Sequence, residues 1–496
     1  MKKRKCAAFL LTAVLLTAGC QKEAGKEVRL DPAHPVTITV WHYYNGEQQA
    51  AFDLLTEKFN ETQGKELGIY VEEYSQGSVD GLEEAVMASL NHEVGSSDMP
   101  DIFSAYADTA YLVSTKGALA DIDGYLTEEE KNSYIQPFLE EGRIGKNGEL
   151  IIFPTAKSSE IFMLNKSDWE PFARAVGATT EDLSTMEGVA ACAQKYYEWT
   201  DALTPDIPGD GKAFYGRDAV ANLFIIGIRQ MGKELFEINP GKAPVLHADK
   251  EMIRRIWDCF YVPYVKGYFG AFGRFRSDDV KTGELLAYTG STASALYFPE
   301  QVELEDGTSY PIEYLVLPAP VFEGGEPYAV QQGAGMVISK SNPRREYAAA
   351  VFLKWFTQEE NNLEFSVNSG YLPVKKAACT RESLDEMIEK SGASMDPRAY
   401  DTMLTAFDTI RDEKLYTNKA FANGTQVRKV LEYHMTDTAQ KARDSVREQV
   451  KNGVSLEEAA APYVSEEAFD IWYDSFRREI LPQGADGPGQ DASISD

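Results

Sequence analysis

The chain has 496 residues, 43% of them hydrophobic, with 78 acidic side chains against 49 basic ones and a net charge of −29 at pH 7. That length and apolar content suffice for two domains of ordinary size. The negative balance, which becomes −33 once four basic residues leave with a leader, argues against nucleic acid and against direct docking on anionic lipid.

Those four, Lys2, Lys3, Arg4 and Lys5, precede an apolar run from Cys6 to Ala18 that is too short to span a bilayer. Residues 1–19 therefore read as a signal peptide. The ending Leu16-Thr17-Ala18-Gly19-Cys20 resembles the bacterial lipobox, although Thr17 departs from the commonest pattern. The resemblance implies that Cys20 is lipidated and becomes the first mature residue, and several acyl chains on one cysteine anchor stably. Residues 20–35 are a polar tether. No later run has transmembrane length, so a soluble body at the outer face of the membrane is expected.

Val36, Thr37, Ile38, Thr39 and Val40 are all β-branched, stiff at χ1 and suited to a strand. The segment is apolar enough for a parallel sheet covered on both faces. Trp41, His42, Tyr43, Tyr44 and Asn45 follow, and after Gly46 the period becomes helical, with Phe52, Leu55 and Phe59 on one stripe. Asn45 is the expected N-cap, with Gln48 as its capping-box partner. A strand ending in an aromatic and amide-bearing loop before a helix is a candidate binding surface, since ligands of open α/β sheets sit outside the carboxyl ends of strands.

The pattern repeats: a strand at 69–74, a helix over 82–90, a strand at 100–103, then Tyr106 and Asp108 before a helix closed by Gly117. Parallel right-handed crossovers follow from this series. Asn147-Gly148 signals a hairpin, and residues 153–160 read as a crossing before a strand at 161–165. Residues 166–285 are mostly helical, interrupted by Thr204 to Gly211. That loop fails as an EF-hand, because Pro208 and Arg217 fall where oxygen ligands belong. Further strands are predicted at 285–289, 314–317 and 335–339, with a helix from Pro343 and a turn at 368–374. The chain is then helical to Glu479, and 481–496 is rich in Gly, Pro and Asp, as disordered tails are. Cys192 and Cys259 look like buried small hydrophobes, and no cysteine or histidine spacing fits a metal.

Taken in order, TITVWHYYNG, PDIFSAYADTAYLVSTKGALADIDGYL, IIFPTAKSSEIFMLNK, VKTGELLAYTGS, VLPAPVFEGGEPYAVQQGAGMVISKSNPRREYAAAVFLKWF and NSGYLPV resemble the extracellular solute-binding proteins of bacterial ABC importers, the large maltose-binding-protein-like family that mostly serves sugars. The resemblance covers nearly the whole mature chain. It implies a periplasmic-binding-protein-like α/β fold of two hinged lobes with the ligand between them. Lobe one is expected at 36–154 plus 298–340, and lobe two at 155–297 plus 341–480. A monomer without a cofactor is expected, with a small-molecule solute and the permease subunits as partners.

A sugar site needs planar hydrogen-bonding side chains and flat aromatic faces. Carried over from the family pattern, the site comprises His42, Tyr43, Tyr44, Asn45, Glu47, Tyr106 and Asp108; Thr155, Ser158 and Glu160; Asp218 and Asn222; Gly290, Ser291 and Thr292; and Gln331, Gln332 and Tyr371. Trp257, with Tyr268, Phe269 and Phe272, reads either as a stacking wall or as core. Arg274 and Arg276 suit a carboxylate or phosphate, or are solvated. A polyol, phosphate ester or polyamine is an open alternative. A secreted glycosidase with two carboxylates is the rival of another class. The chain lacks GxSxG and HExxH, and Gly333-Ala334-Gly335 precedes a strand rather than a helix.

Overall fold

The computed structural model describes residues 28–238, 244–391 and 395–480. The signal peptide, Cys20 and the tail 481–496 lie outside the described residues. The opening β-branched run forms β1 (Val36–His42), followed by α1 (Gly46–Glu61). Phe52, Leu55 and Phe59 of α1 are buried as the helical period requires. Asn45 stands at the N-cap with extended backbone, but its side chain reaches Gly77 O (3.4 Å) instead of capping, so the expected capping box is not made.

Next come β2 (Ile69–Ser75), α2 (Val79–Leu90), β3 (Ile102–Ala105), α3 (Ala107–Thr115), α4 (Gln136–Glu140) and β4 (Ile152–Phe153). The turn at Asn147-Gly148 closes through Gly145 N to Glu149 O (3.2 Å), but no strand precedes it, so it is not a β-hairpin. β5 (Glu160–Asn165), β6 (Tyr215–Arg217), α5 (Val220–Gln230), β7 (Ala287–Ser291), β8 (Tyr314–Pro318) and β9 (Gly335–Ile338) complete two sheets. α6 (Pro343–Phe356), α7 (Glu359–Ser369), α8 (Pro397–Asp412) and α9 (Gly424–Lys451) follow.

The first sheet has the order β2-β1-β3-β9-β4; β1 is parallel to both β2 and β3, and β9 is antiparallel to β3 and β4. The second has the order β8-β5-β7-β6, with β5 antiparallel to β8 and β7 and β6 parallel to β7. Each sheet has its own apolar core, so the fold is two α/β lobes.

Three segments cross between them and pair with one another. Ser158 and Gln332 exchange backbone hydrogen bonds (2.9 and 3.0 Å), as do Lys157 and Leu372 (3.1 and 2.6 Å). The cores do not divide where the sequence placed the boundaries. β8, expected in lobe one, pairs with β5 of the second sheet. α6 and α7, expected in lobe two, supply Phe352, Phe356 and Phe365 to the first core, with Phe352 5.1 Å from Phe59 between ring centroids. An apolar helix carries no label of the sheet it covers; α6 directly follows β9 and folds back onto that strand's own sheet.

Candidate functional site

The loop after β1 meets the crossing segments at Tyr371, and the end of β7 meets them at Ser159. On the lobe-one side, Tyr43 and Tyr106 stack at 6.3 Å between centroids, and the Tyr43 and Tyr371 hydroxyls lie 3.3 Å apart. Tyr44 packs on Tyr371 at 6.0 Å. Tyr371 reaches this place because Gly370 adopts φ +76° and lies so close to the end of β7 that a Cβ would stand 3.3 Å from Ala293 Cα. Tyr106 keeps 40% of its surface exposed and forms the open face of the cluster. Burial, with the neighbouring Tyr371, holds the Tyr43 hydroxyl well above the usual phenol range, so it stays a neutral donor and acceptor.

On the lobe-two side, Glu160 is buried and fully engaged: one carboxylate oxygen pairs with Arg217, and the other accepts from Asn222 Nδ2 (2.9 Å). Asn222 Nδ2 also donates to Gln332 Oε1 (2.9 Å), while its Oδ1 accepts from Arg428 Nη2 (2.8 Å). Thr292 N donates to Ser159 O (2.9 Å), tying the end of β7 to the crossing. Asp218 accepts from Arg276 N (3.0 Å), and burial pushes its carboxyl up to about 6. The arrangement combines neutral tyrosines with a hydrogen-bonded amide and carboxylate lattice, groups of the kind that suit a polyhydroxylated molecule.

The family model for bacterial extracellular solute-binding proteins matches residues 55–393. The chain belongs to that family. No curated protein matches it. The cyclic α-maltosyl-1,6-maltose binding protein from Arthrobacter globiformis superposes with a TM-score of 0.60 at 19% identity, covering 90% of this chain and 99% of that one. UgpB from Mycobacterium tuberculosis, solved with glycerophosphocholine, gives 0.59 at 19% identity over 84% and 98% of the two chains. A solute-binding protein of an ABC transporter from Agrobacterium radiobacter, in complex with ribitol, gives 0.57 at 15% identity over 90% and 100%. At such identities the likeness is one of fold.

In this solute-binding protein the expected residues divide into those that keep surface exposed and those that are buried. Tyr106, Asn45 and Glu47 are exposed, and Asp108, Asp218, Ser291 and Gln332 are half-buried. His42, Tyr44, Thr155, Ser158, Glu160, Asn222 and Gln331 are buried in the framework. Gln331 donates to Glu141 Oε2 (2.7 Å), which also accepts from Lys157 Nζ (2.6 Å).

Three expectations are corrected. Trp257 is fully buried in the second core, 3.4 Å from Tyr261 between centroids, so it cannot be a stacking wall; Tyr268 and Phe269 are buried there too. Arg276 is buried, paired with Asp279 (2.5 Å) and donating to Gly273 O (2.6 Å), so it is neither solvated nor presented to an anion. His42 is fully buried, with Nε2 2.5 Å from Glu73 Oε2, and does not face a solute.

Sequence reasoning missed Arg217, Tyr297 and Arg428. Burial above all, with Tyr106 and Tyr44 beside it and a smaller part from Tyr297, which is 71% exposed, holds the Tyr371 hydroxyl above the usual phenol range. Arg428 lies some two hundred residues beyond Asn222, with no local signal. A cavity of about 1680 Å³ opens beside the site, between α3, α4 and the segment 415–423; of the expected residues only Gln331 lines it. Among the described residues, His42, Asp53 and Glu73 bring ligand atoms within 4.8 Å of one another. No described helix is long and apolar enough to cross a membrane.

Proposed function

We propose that this solute-binding protein is the substrate-binding subunit of an ABC importer, capturing a sugar or oligosaccharide between its lobes and delivering it to the membrane permease. The observation that supports the reading is the cluster of Tyr43, Tyr106 and Tyr371 on one core together with the Glu160–Asn222–Gln332 lattice at the crossing, which in this reading are the two walls of the cleft. Aromatic faces match the C–H patches of a pyranose, and fixed amides and carboxylates match its hydroxyls. The protein of A. globiformis is named for a cyclic maltosyl-maltose and that of A. radiobacter was solved with ribitol, which supports a polyhydroxylated solute.

Lobe one in this reading is 36–154 with β9, α6 and α7, and lobe two is 160–330 with residues from α8 to 480. The lobes close by bending at the three crossings, and only differential affinity for the closed state drives that closure. The protein works as a monomer, held at the outer face of the membrane by lipid on Cys20. It binds without catalysis.

Thermal-shift and calorimetric titration with maltotriose, ribitol and glycerophosphocholine tests the reading. A ligand at a hundred times its Kd adds about 2.7 kcal/mol, which for a chain of this size is a rise of a few degrees in Tm. The expected result is saturable maltotriose binding, a smaller radius of gyration in solution scattering, and recovery of intact sugar. Binding of glycerophosphocholine alone moves the substrate to phosphodiesters, and cleavage of maltotriose overturns the assignment as a binder.

A further inference from the structure

His42 ends β1 with none of its surface exposed, its ring 5.1 Å from Tyr44 and 4.8 Å from Phe52 between centroids. Its two nitrogens do different work. Nδ1 stands 3.2 Å from the backbone N of Tyr44, a group that can only donate, so Nδ1 must be the unprotonated acceptor. The ring proton is then on Nε2, which faces Glu73 Oε2 at 2.5 Å. Asp53 completes a triad whose ligand atoms could surround a cation. A cation on Nε2, however, would drive the proton to Nδ1 and set it against the Tyr44 N–H, so the backbone around the ring disfavours metal there.

The same turn is held from its other side. Ser75 Oγ donates to Tyr44 O (2.6 Å), and Gln76 N donates to His42 O (2.7 Å). The amide and the carbonyl of Tyr44 are therefore both tied to the β1–β2 framework, by His42 and Ser75.

We propose that His42 is the positioning residue of the solute-binding loop: anchored to Glu73 through Nε2, it holds the Tyr44 amide on Nδ1 and so sets the turn that presents Tyr43 to Tyr106 and Tyr371. The inference rests on the binding role given to that loop above. It replaces the expectation that His42 touches the solute. Acting on the Tyr44 amide through one nitrogen has a distinctive consequence, because each nitrogen can be mimicked separately. The side-chain oxygen of asparagine stands where Nδ1 does relative to Cβ, and the side-chain nitrogen of glutamine stands where Nε2 does.

The test is His42→Asn against His42→Gln, read by hydrogen exchange at the Tyr44 amide and by titration with maltotriose. Both variants lose the ring and a similar amount of stability, so stability does not discriminate. His42→Asn is expected to retain Tyr44 amide protection and to weaken maltotriose binding only about threefold. His42→Gln is expected to lose protection by at least tenfold and to weaken binding about tenfold. Should either variant fail to fold, Glu73→Ala, at a position that is not fully buried, frees the ring and is expected to lower Tyr44 protection. Equal protection in His42→Asn and His42→Gln, or full protection in Glu73→Ala, overturns the proposal. The exchange readout decides it even where wild-type protein ignores maltotriose, a result that would count against the sugar reading alone.

Discussion

Asp108, in the first turn of α3, accepts the backbone N–H of Phe421 (3.3 Å) just ahead of α9, so a lobe-one carboxylate meets a lobe-two helix entrance. The contact is close: a Cβ on Gly424 would lie 2.0 Å from Asp108 Oδ1. Burial pushes the carboxyl up to about 6, outweighing the Phe421 amide and the Arg428 charge, with Glu83 adding to the rise. The folded value is above the ordinary carboxylate value of about 3.9, so the packed lobes favour the protonated form. This contribution is fully present below about pH 4, declines as pH rises, and is lost above about pH 6. Asp108→Asn keeps the acceptor oxygen without the charge. It is expected to raise stability by about 1 kcal/mol at pH 7.5, after discount for the half-exposed side chain, and by nothing at pH 4. Thermal melts of both proteins at the two pH values check this; equal melting at pH 7.5 contradicts it.

Glu160 and Arg217 form a buried pair, and Asn222 completes the carboxylate's bonds. Glu160→Leu strands the Arg217 charge, and removing one partner of such a pair costs about 3–5 kcal/mol. Combining Glu160→Leu with Arg217→Met is expected to restore most of that loss in urea denaturation, because no lone charge remains. A double variant as weak as the single one would show that the cost lies elsewhere in the lattice.

Lys157 is held at the pivot by Glu141 (2.6 Å) and Gly333 O (2.7 Å), its side chain 3% exposed. Lys157→Met leaves Glu141 with Gln331 as its remaining partner here and is expected to destabilise by about 3 kcal/mol. The same variant loosens two of the three crossings, so solution scattering is expected to report a larger radius of gyration in the ligand-free protein. An unchanged radius would mean that the backbone bridges alone set the pivot.

Gly370 combines φ +76° with a close approach to Ala293. Gly370→Ala is expected to cost about 1–2 kcal/mol for the left-handed backbone alone. The displaced Tyr371 is expected to lower maltotriose affinity as well. Unfolding midpoint and titration on one sample measure both, and an alanine variant with the wild-type midpoint refutes the strain argument.

Local chemistry made much of this molecule readable. The β-branched run at 36–40 became β1, Asn342-Pro343 started α6 with the Asn342 side chain accepting from Arg344 and Arg345 amides, and the strands at 161–165 and 335–339 formed within a residue of expectation. Loops at strand ends could be named because they adjoin such signals. Whether a loop side chain faces the gap or the framework could not be read, since His42, Thr155 and Glu160 have the same residue types that face solutes.

Amino-acid order alone determined the strand-loop-helix repeats and the family, because β-branching, helical period and turn residues act over a few neighbours. Tertiary structure decided which sheet β8, α6 and α7 join, that Trp257 is core, and that Arg217 and Arg428 complete the polar wall. Those outcomes depend on contacts between residues tens to hundreds of positions apart, where burial and partner choice, not local propensity, carry the free energy.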